Sequence, residues 1–383
     1  MEFIYFVFIF LVTISNNAIP SNAENLFETQ KEAIFEQPEQ RKLAEDDNYI
    51  AVYFNQTVEY NDSIKFVHQK RNNVSKIVVD ETELSADSNF TVPLGKALKI
   101  YFTEIVSSLE QFFSGNNDKN SKFITSIDLS NCDLSKVTTM SNTFYSCSSL
   151  ESVVFPENMQ NVGVMEQAFT RCSSLKSIDF SKCNLTNVLN MNYMFQYCVS
   201  LESIAFPDSL TNIKNMNYLF YNCSSLQSVD LSNIGLTKLL TIRSMFELCP
   251  KLESVIFPKS SPERLQSISH LIKNCSSLTS IDLSMFTILK ITGIEGFIDG
   301  CTSLFAIDFP NFNFSIYDFL NSYTFNREVF HFKYLNLIGS SGESTNFSTF
   351  FADLCDDYSM TSLSVCVSDK EIIQTSRNIL NKK

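Results

Sequence analysis

Hydrophobic residues recur at fixed distances around seven cysteines that are spaced 25 or 26 residues apart. A leucine follows each cysteine by three residues, a valine or isoleucine by six, and a phenylalanine or leucine by eight. The last of these positions alternate with polar residues, which is typical of a strand with one buried face. The cysteines that set the register are Cys147, Cys172, Cys198, Cys223, Cys249, Cys275 and Cys301.

The residues ahead of each cysteine follow a longer period. Methionine or isoleucine stands seven residues before the cysteine, and phenylalanine or isoleucine stands three before it. This spacing places apolar side chains on one face of a helix. One helix–turn–strand unit cannot cover its own apolar face, so the units must stack. The pattern predicts a right-handed α/β solenoid with a parallel strand sheet on one face and short helices on the other.

The same spacing recurs beyond the clear part of the array. Residues 332–337 and 360–365 repeat the strand positions at intervals of 28 residues. Residues 103–113 are predicted to form a helix that ends at Gly115, half a unit ahead of the first complete one. The sequence therefore predicts about ten coils.

The units are of two alternating kinds. In one, the strand ends on Asp-Leu-Ser or Asp-Phe-Ser, as at Asp128 and Asp179. In the other it ends on Phe-Pro, as at Phe155 and Phe206. Because proline has no N–H to donate, a strand ladder stops there. The structural period is therefore predicted to be nearer two units than one.

Several stretches match a known consensus. Ile124–Leu134 fits the leucine-rich-repeat pattern L-x-x-L-x-L-x-x-[NC]-x-L. With Ile127–Ser130 (IDLS), Met191–Phe195 (MNYMF) and Cys223–Leu226 (CSSL), the array resembles the BspA-like, 26-residue surface-protein repeats. The resemblance covers residues 97–310. It implies an extracellular protein of a bacterium or a parasitic protist, and some members of that family are adhesins.

The ends of the chain differ from the array. Residues 1–23 read as a signal peptide, with an apolar run and small residues up to Ala23, although no Lys or Arg precedes the run. Residues 24–96 are expected to form a linker and a β-rich cap, with strands at 49–54, 64–69 and 76–79. Residues 97–310 are the repeats, 311–368 are degenerate repeats and a C-terminal cap, and 369–383 form a last helix. No transmembrane segment is expected after the signal peptide.

The net charge limits the class of partner, and the N-x-S/T sequons give candidate glycosylation sites. The net charge is −13, which argues against nucleic acid as a partner because its binding needs basic patches. In a secreted chain, N-x-S/T sequons are candidate glycosylation sites. Two of them, at Asn222 and Asn274, precede core cysteines and suit a glycan least. The candidates are Asn55, Asn61, Asn73, Asn89, Asn184, Asn313 and Asn346.

Small polar and acidic residues alternate with the buried strand positions and are predicted to form columns on one sheet face. Such a face could bind a basic protein segment or a glycan. Small polar residues also suit an ordinary solvated sheet face, and this alternative stays open. The candidate residues are Ser152, Ser177, Ser203, Ser228, Ser254, Ser280, Asp128, Asp179, Asp230, Asp282 and Asp308.

The chain has 11 cysteines, which in a secreted protein suggests disulfides. Equivalent side chains in stacked coils point the same way, however, whereas a disulfide needs Cβ atoms that face each other. The seven cysteines of the array are therefore predicted to be buried thiols outside any disulfide. Cys355 and Cys366 lie outside this column, and a disulfide between them is an open alternative.

Catalytic and metal motifs are missing from the sequence. The three histidines form no H-E-x-x-H, and no C-x-x-C, nucleophile elbow or P-loop is present. No cofactor and no metal are expected. The favoured function is non-catalytic binding or adhesion to an extracellular protein or glycan on host or neighbouring cells, by a secreted or surface-associated protein. A coat protein that self-associates is the alternative, and a secreted hydrolase is a distant one.

Overall fold

The computed structural model describes residues 48–60, 74–84, 89–102, 104–115, 119–259, 262–286, 293, 295–308, 334–337 and 364–367. The signal peptide, the strand expected at 64–69 and the C-terminal helix lie outside these residues.

A row of parallel strands, one in each coil, confirms the leucine-rich-repeat solenoid. In each of the three-residue strands between Ser152 and Asp308, the central residue is buried between outward-facing neighbours, as the alternation predicted. The strands are β7 Ile124–Asp128, β8 Ser152–Val154, β9 Ser177–Asp179, β10 Ser203–Ala205, β11 Ser228–Asp230, β12 Ser254–Ile256, β13 Ser280–Asp282, β14 Ala306–Asp308, β15 Tyr334–Leu337 and β16 Ser364–Val367.

The predicted number of coils is matched in part. Strands β7 to β14 delimit seven coils among the described residues. Strand β15 pairs in parallel with β14, and β16 pairs in parallel with β15, so the sheet continues at the predicted places. The segments that join these last strands lie outside the described residues.

The predicted short helices are wrong. In the described residues, the segment before each cysteine is a run of turns, as is residues 104–115. Two residues in each run, five positions and one position before the cysteine, have positive φ, for example Tyr193 at 58° and Tyr197 at 62°. A residue in this left-handed region cannot continue a right-handed α-helix. The apolar spacing at positions −7, −3 and 0 is therefore produced by turns.

Hydrogen bonds between coils explain why the turns replace helices. In the run before Cys147, alternate N–H groups donate to the next coil, from Met140 to Val164 O at 2.9 Å and from Phe144 to Ala168 O at 2.8 Å. The N–H groups between them close turns, as from Cys147 to Phe144 O at 3.1 Å. The backbone donors that an α-helix would use within one segment instead join neighbouring coils.

A column of phenylalanines forms the centre of the core. Five of the six rings stand three residues before a cysteine, from Cys147 to Cys249, and neighbouring rings stack at centroid distances of 4.9–5.8 Å. Full burial of one such ring contributes about 1.5–3 kcal/mol, and stacked pairs add more. The column comprises Phe113, Phe144, Phe169, Phe195, Phe220 and Phe246, none more than 2% exposed.

From β7 to β12 the strand hydrogen bonds join coils in pairs, whereas β13 to β16 form one continuous sheet. Strand β7 pairs with β8, β9 with β10, and β11 with β12, and the first member of each pair ends on Asp-Leu-Ser or Asp-Phe-Ser. The second member ends on Phe-Pro, where proline cannot donate to the following coil. This arrangement agrees with the predicted period of two units.

An antiparallel sheet lies at the N-terminal end of the array. Its strands β1 Tyr49–Phe54, β3 Val74–Val79, β4 Thr82–Leu84 and β6 Leu98–Phe102 are ordered β4-β3-β6-β1, and β1 pairs antiparallel with β7. Strands β2 Val58–Tyr60 and β5 Phe90–Val92 form a separate pair, and Ser121–Phe123 is a 3₁₀ turn before β7. The first strand of the array is therefore paired with another strand rather than left as an open edge.

Candidate binding surface on the strand face

The predicted serine and aspartate candidates lie on one face of the parallel strands. Within each hydrogen-bonded pair the serines stand opposite each other, as Ser177 does with Ser203 and Ser228 with Ser254. Ser152, Ser280 and Asp282 are exposed, whereas the other candidates are half-buried beside their neighbours. The sequence therefore predicted the two columns, and the fold brings their members together.

Four aspartates of this face have a structural role that the sequence reasoning missed. Oδ1 of Asp179 accepts a hydrogen bond from the backbone N–H of Ser181 at 2.7 Å, and Asp128, Asp230 and Asp282 bond Ser130, Ser232 and Ser284 in the same way at 2.8 Å. These Asx turns bend the chain out of the strand. The Asp-x-Ser spacing was the available signal. In the described part of the chain, the second oxygen of each carboxylate has no hydrogen bond.

The acidic column is interrupted by small and apolar residues. Val154, Ala205 and Ile256 stand opposite Asp128, Asp179 and Asp230 in the strand pairs. Val154 is 48% exposed and Ile256 is 40% exposed. From β7 to β12 the column therefore alternates carboxylates with small or apolar side chains, so it can contact both cationic and apolar groups of a partner.

A second set of acids completes the face. Glu151, Glu202 and Glu253 directly precede the strands that end on Phe-Pro, and all three are exposed. Their backbone N–H groups are fixed by the preceding coil, as Glu202 N donates to Lys176 O at 2.8 Å. Each coil from β7 to β13 thus carries one carboxylate, which alternates between the two ends of the strand. The two-unit period is the signal for these glutamates, which lie one residue before the strand positions that predicted the other candidates.

The carboxylates affect the phenol at the N-terminal end of this face. Tyr53 of β1 stands opposite Ser126 of β7 and is 40% exposed. Burial, followed by the charge of Asp128, raises the pKa of Tyr53 above its ordinary value. Tyr53 is therefore a neutral hydrogen-bond donor beside the first carboxylate at neutral pH.

Comparison with known families agrees with this geometry. A model described as a BspA type leucine-rich repeat region matches the chain in six copies, over residues 108–191 and 137–267. The repeat array belongs to the BspA-type leucine-rich-repeat family. A second model, described as a Mycoplasma protein of unknown function, matches residues 214–334. No curated protein matches the chain.

Three solved structures that resemble the BspA-type array are bacterial proteins. A leucine-rich repeat protein of T. pallidum has 25% identity and a TM-score of 0.32, with 41% of this chain and 68% of that chain covered. One from Eubacterium ventriosum has 25% identity, 44% and 41% coverage and a TM-score of 0.33. The pneumococcal vaccine antigen PcpA has 14% identity, 64% coverage of both chains and a TM-score of 0.33. The alignments span 41–68% of these relatives, and at these TM-scores they carry no argument about function.

The cysteine column of the BspA-type array is buried, as predicted. The nine cysteines from Cys132 to Cys301 are buried and outside any disulfide. In the column, each thiol donates to the carbonyl of the apolar residue one coil earlier, as Cys198 Sγ does to Phe169 O at 3.1 Å. Burial raises the pKa of Cys249 and of Cys301 to about 12, so the thiols stay protonated. Cys355, one half of the open disulfide, lies outside the described residues.

Three of the sequons are exposed in the described residues: Asn55, Asn89 and Asn184. The Asn55 amide donates to Ser149 Oγ at 3.1 Å, and Asn184 Oδ1 accepts from the Thr186 hydroxyl at 2.7 Å. The exposed placement leaves room for a glycan on each. The other candidates, Asn61, Asn73, Asn313 and Asn346, lie outside the described residues.

Among the described residues, no group of three His, Cys, Asp or Glu side chains is placed to hold a metal ion. His270 lies in a turn run with φ of 57°, while His68 and His331 fall outside the described residues. Within the described part of the chain, no helix has the length and apolar character needed to cross a bilayer.

Proposed function

We propose that the chain is a secreted, non-catalytic binding protein whose strand face holds a cationic segment of an extracellular protein or a glycan. The observation that carries the proposal is the regular array of one carboxylate per coil on that face. Members of a repeat family use such extended surfaces for recognition rather than for chemistry. The BspA-type repeats support a surface or extracellular setting.

The rigidity of the carboxylates supports binding. The Asx turns fix the aspartate side chains before a partner arrives, so less side-chain entropy is lost on binding. A row of like charges also produces a field that accelerates association with a cationic partner and is screened by salt. The exposed Val154 and Ile256 add apolar contact area between the charges.

Replacement of the five face aspartates by asparagine tests this function. Asparagine keeps the Oδ1 acceptor of each Asx turn, so the fold is expected to be unchanged while five charges are lost. We expect binding to intact host or neighbouring cells and to immobilised matrix proteins to weaken by about tenfold or more and to depend less on salt, since only the three face glutamates keep their charge. The variant combines Asp128→Asn, Asp179→Asn, Asp230→Asn, Asp282→Asn and Asp308→Asn.

A matched control removes five exposed acids elsewhere, at Glu104, Glu157, Asp208, Glu263 and Glu295, each replaced by its amide. This control is expected to bind as the unmodified chain does. Equal binding by both variants would show that the strand face is not the binding surface. Sedimentation of the unmodified protein tests the alternative of a self-assembling coat protein. A monodisperse monomer would contradict self-assembly.

A further inference from the structure

Four tyrosines form a continuous cluster on the turn side of two neighbouring coils. Tyr193 stacks on Tyr218 with centroids 4.9 Å apart, and Tyr218 meets Tyr221 at 5.6 Å. Tyr221 contacts Tyr197 edge-on at 5.5 Å, and the guanidinium of Arg171 lies 5.6 Å from the centre of the Tyr197 ring. We call these five residues the tyrosine patch.

The backbone under the patch is fixed by hydrogen bonds between coils. Tyr193 N donates to Asn217 O and Tyr197 N donates to Tyr221 O, both at 2.9 Å. Tyr193, Tyr197 and Tyr218 have φ of 56–62°, in the left-handed region, and all four tyrosines are partly exposed. The rings are thus held in place before any partner arrives, which lowers the entropy lost on binding.

Arg171 marks one end of the patch. It borders an open cavity of about 450 Å³ whose other lining residues are Ser146, Ser148, Ser173 and Tyr197. Arg171 is exposed and has no ion pair within the described residues, although the chain as a whole carries a net charge of −13. A guanidinium can bind a carboxylate through two parallel hydrogen bonds, and the neighbouring hydroxyl groups can donate further hydrogen bonds to it.

The phenols of Tyr193 and Tyr221 stay neutral at physiological pH. Burial, followed by the neighbouring phenol of Tyr218 and the charge of Glu166, raises the pKa of Tyr193, and burial followed by the charge of Glu247 raises the pKa of Tyr221. Protonated phenols can donate hydrogen bonds to a partner while their rings provide apolar contact area.

We propose that the tyrosine patch is a second binding surface, which takes a protein segment whose Asp or Glu carboxylate sits on Arg171 in the serine-lined cavity. Tyrosine and arginine dominate the binding energy of protein interfaces, and tyrosine with serine is the composition of antibody binding loops. The patch is broad and its cavity is open, whereas sites for small ligands enclose most of the ligand surface. This surface is separate from the strand face, and it does not depend on the function proposed for that face.

Selection of peptides from a displayed random library on the full secreted chain tests the proposal. We expect selected peptides to share an acidic residue, and we expect Arg171→Asn and Tyr197→Asn each to weaken their binding by roughly tenfold or more. Both variants keep the fold, because Asn222 and Asn274 occupy the same column with φ of 58° and 61°. Replacing the peptide's acid by alanine should abolish the effect of Arg171→Asn.

The control is Arg264→Gln, which removes one exposed positive charge elsewhere and is expected to leave the affinity unchanged. Thermal unfolding of each variant checks that the fold is retained. Selected peptides without an acid, or with equal affinity for the Arg171→Asn variant, would overturn the proposal. It would equally be overturned if carboxylated glycans on an array bound in an Arg171-dependent way and no peptide did.

Discussion

Replacing Phe195 by alanine is expected to lower the free energy of unfolding by about 3–5 kcal/mol. Phe195 is fully buried, and its ring stacks on Phe169 at 5.3 Å and on Phe220 at 5.7 Å. Alanine removes both contacts and leaves a cavity between coils that the hydrogen-bonded turns cannot close. Urea unfolding followed by circular dichroism measures the loss as a lower midpoint concentration.

Two further variants at apolar positions make this result specific. Phe195→Ile should destabilise less, because Ile272 and Ile298 fill the same column in later coils. Phe305→Ala should have little effect, since Phe305 is 42% exposed. A loss below about 1 kcal/mol for Phe195→Ala, which is small for any buried aromatic residue, would contradict the stacked column.

The loss of stability on deletion of coils is expected to depend on whether one coil or two coils are removed. Deleting residues 176–226 removes the β9–β10 pair and joins β8 to β11, so every remaining strand keeps its partner. Deleting residues 176–201 removes β9 alone and leaves β10 without its partner. The single-coil deletion should lose about 3 kcal/mol more than the double deletion, from several strand hydrogen bonds at roughly 1 kcal/mol each.

Thermal unfolding of the two deletion variants provides the measurement. The two-coil variant should keep a single cooperative transition close to that of the full chain, because stability in a repeat array is nearly a sum over neighbouring units. The one-coil variant should unfold at a clearly lower temperature. Equal unfolding temperatures for the two variants would show that the structural period is one coil rather than two.

The buried columns of the fold could be predicted because their spacing is strict and each has one chemistry. The leucines three residues after the cysteines are at most 1% exposed, and the cysteines themselves are fully buried. The helices were predicted wrongly because apolar positions at −7, −3 and 0 fit a helix and a run of turns equally well. Asn142, Gly296 and Gly300 stand at the positive-φ positions, and residues that tolerate the left-handed region there were the signal against a helix.

How much of each candidate surface could be predicted depended on whether its spacing was recognised in the sequence. The serine and aspartate columns follow from strand alternation, which was identified correctly. The Asx turns needed attention to a two-residue spacing, Asp179 with Ser181, rather than to a column. The tyrosine patch was missed although its signal was present, because Tyr193 and Tyr218 both stand five residues before a cysteine, and equivalent positions of neighbouring coils lie side by side.

Thiol counting tests the stacking of coils most directly. The chain has 11 cysteines, and the nine from Cys132 to Cys301 are buried and outside any disulfide. We expect almost none of the thiols to react with a thiol reagent in the native protein without reductant. Nine to eleven thiols per chain should react once the protein is unfolded in denaturant. Rapid reaction of the native protein, or only one to three reactive thiols after unfolding, would contradict a column of cysteines enclosed between stacked coils.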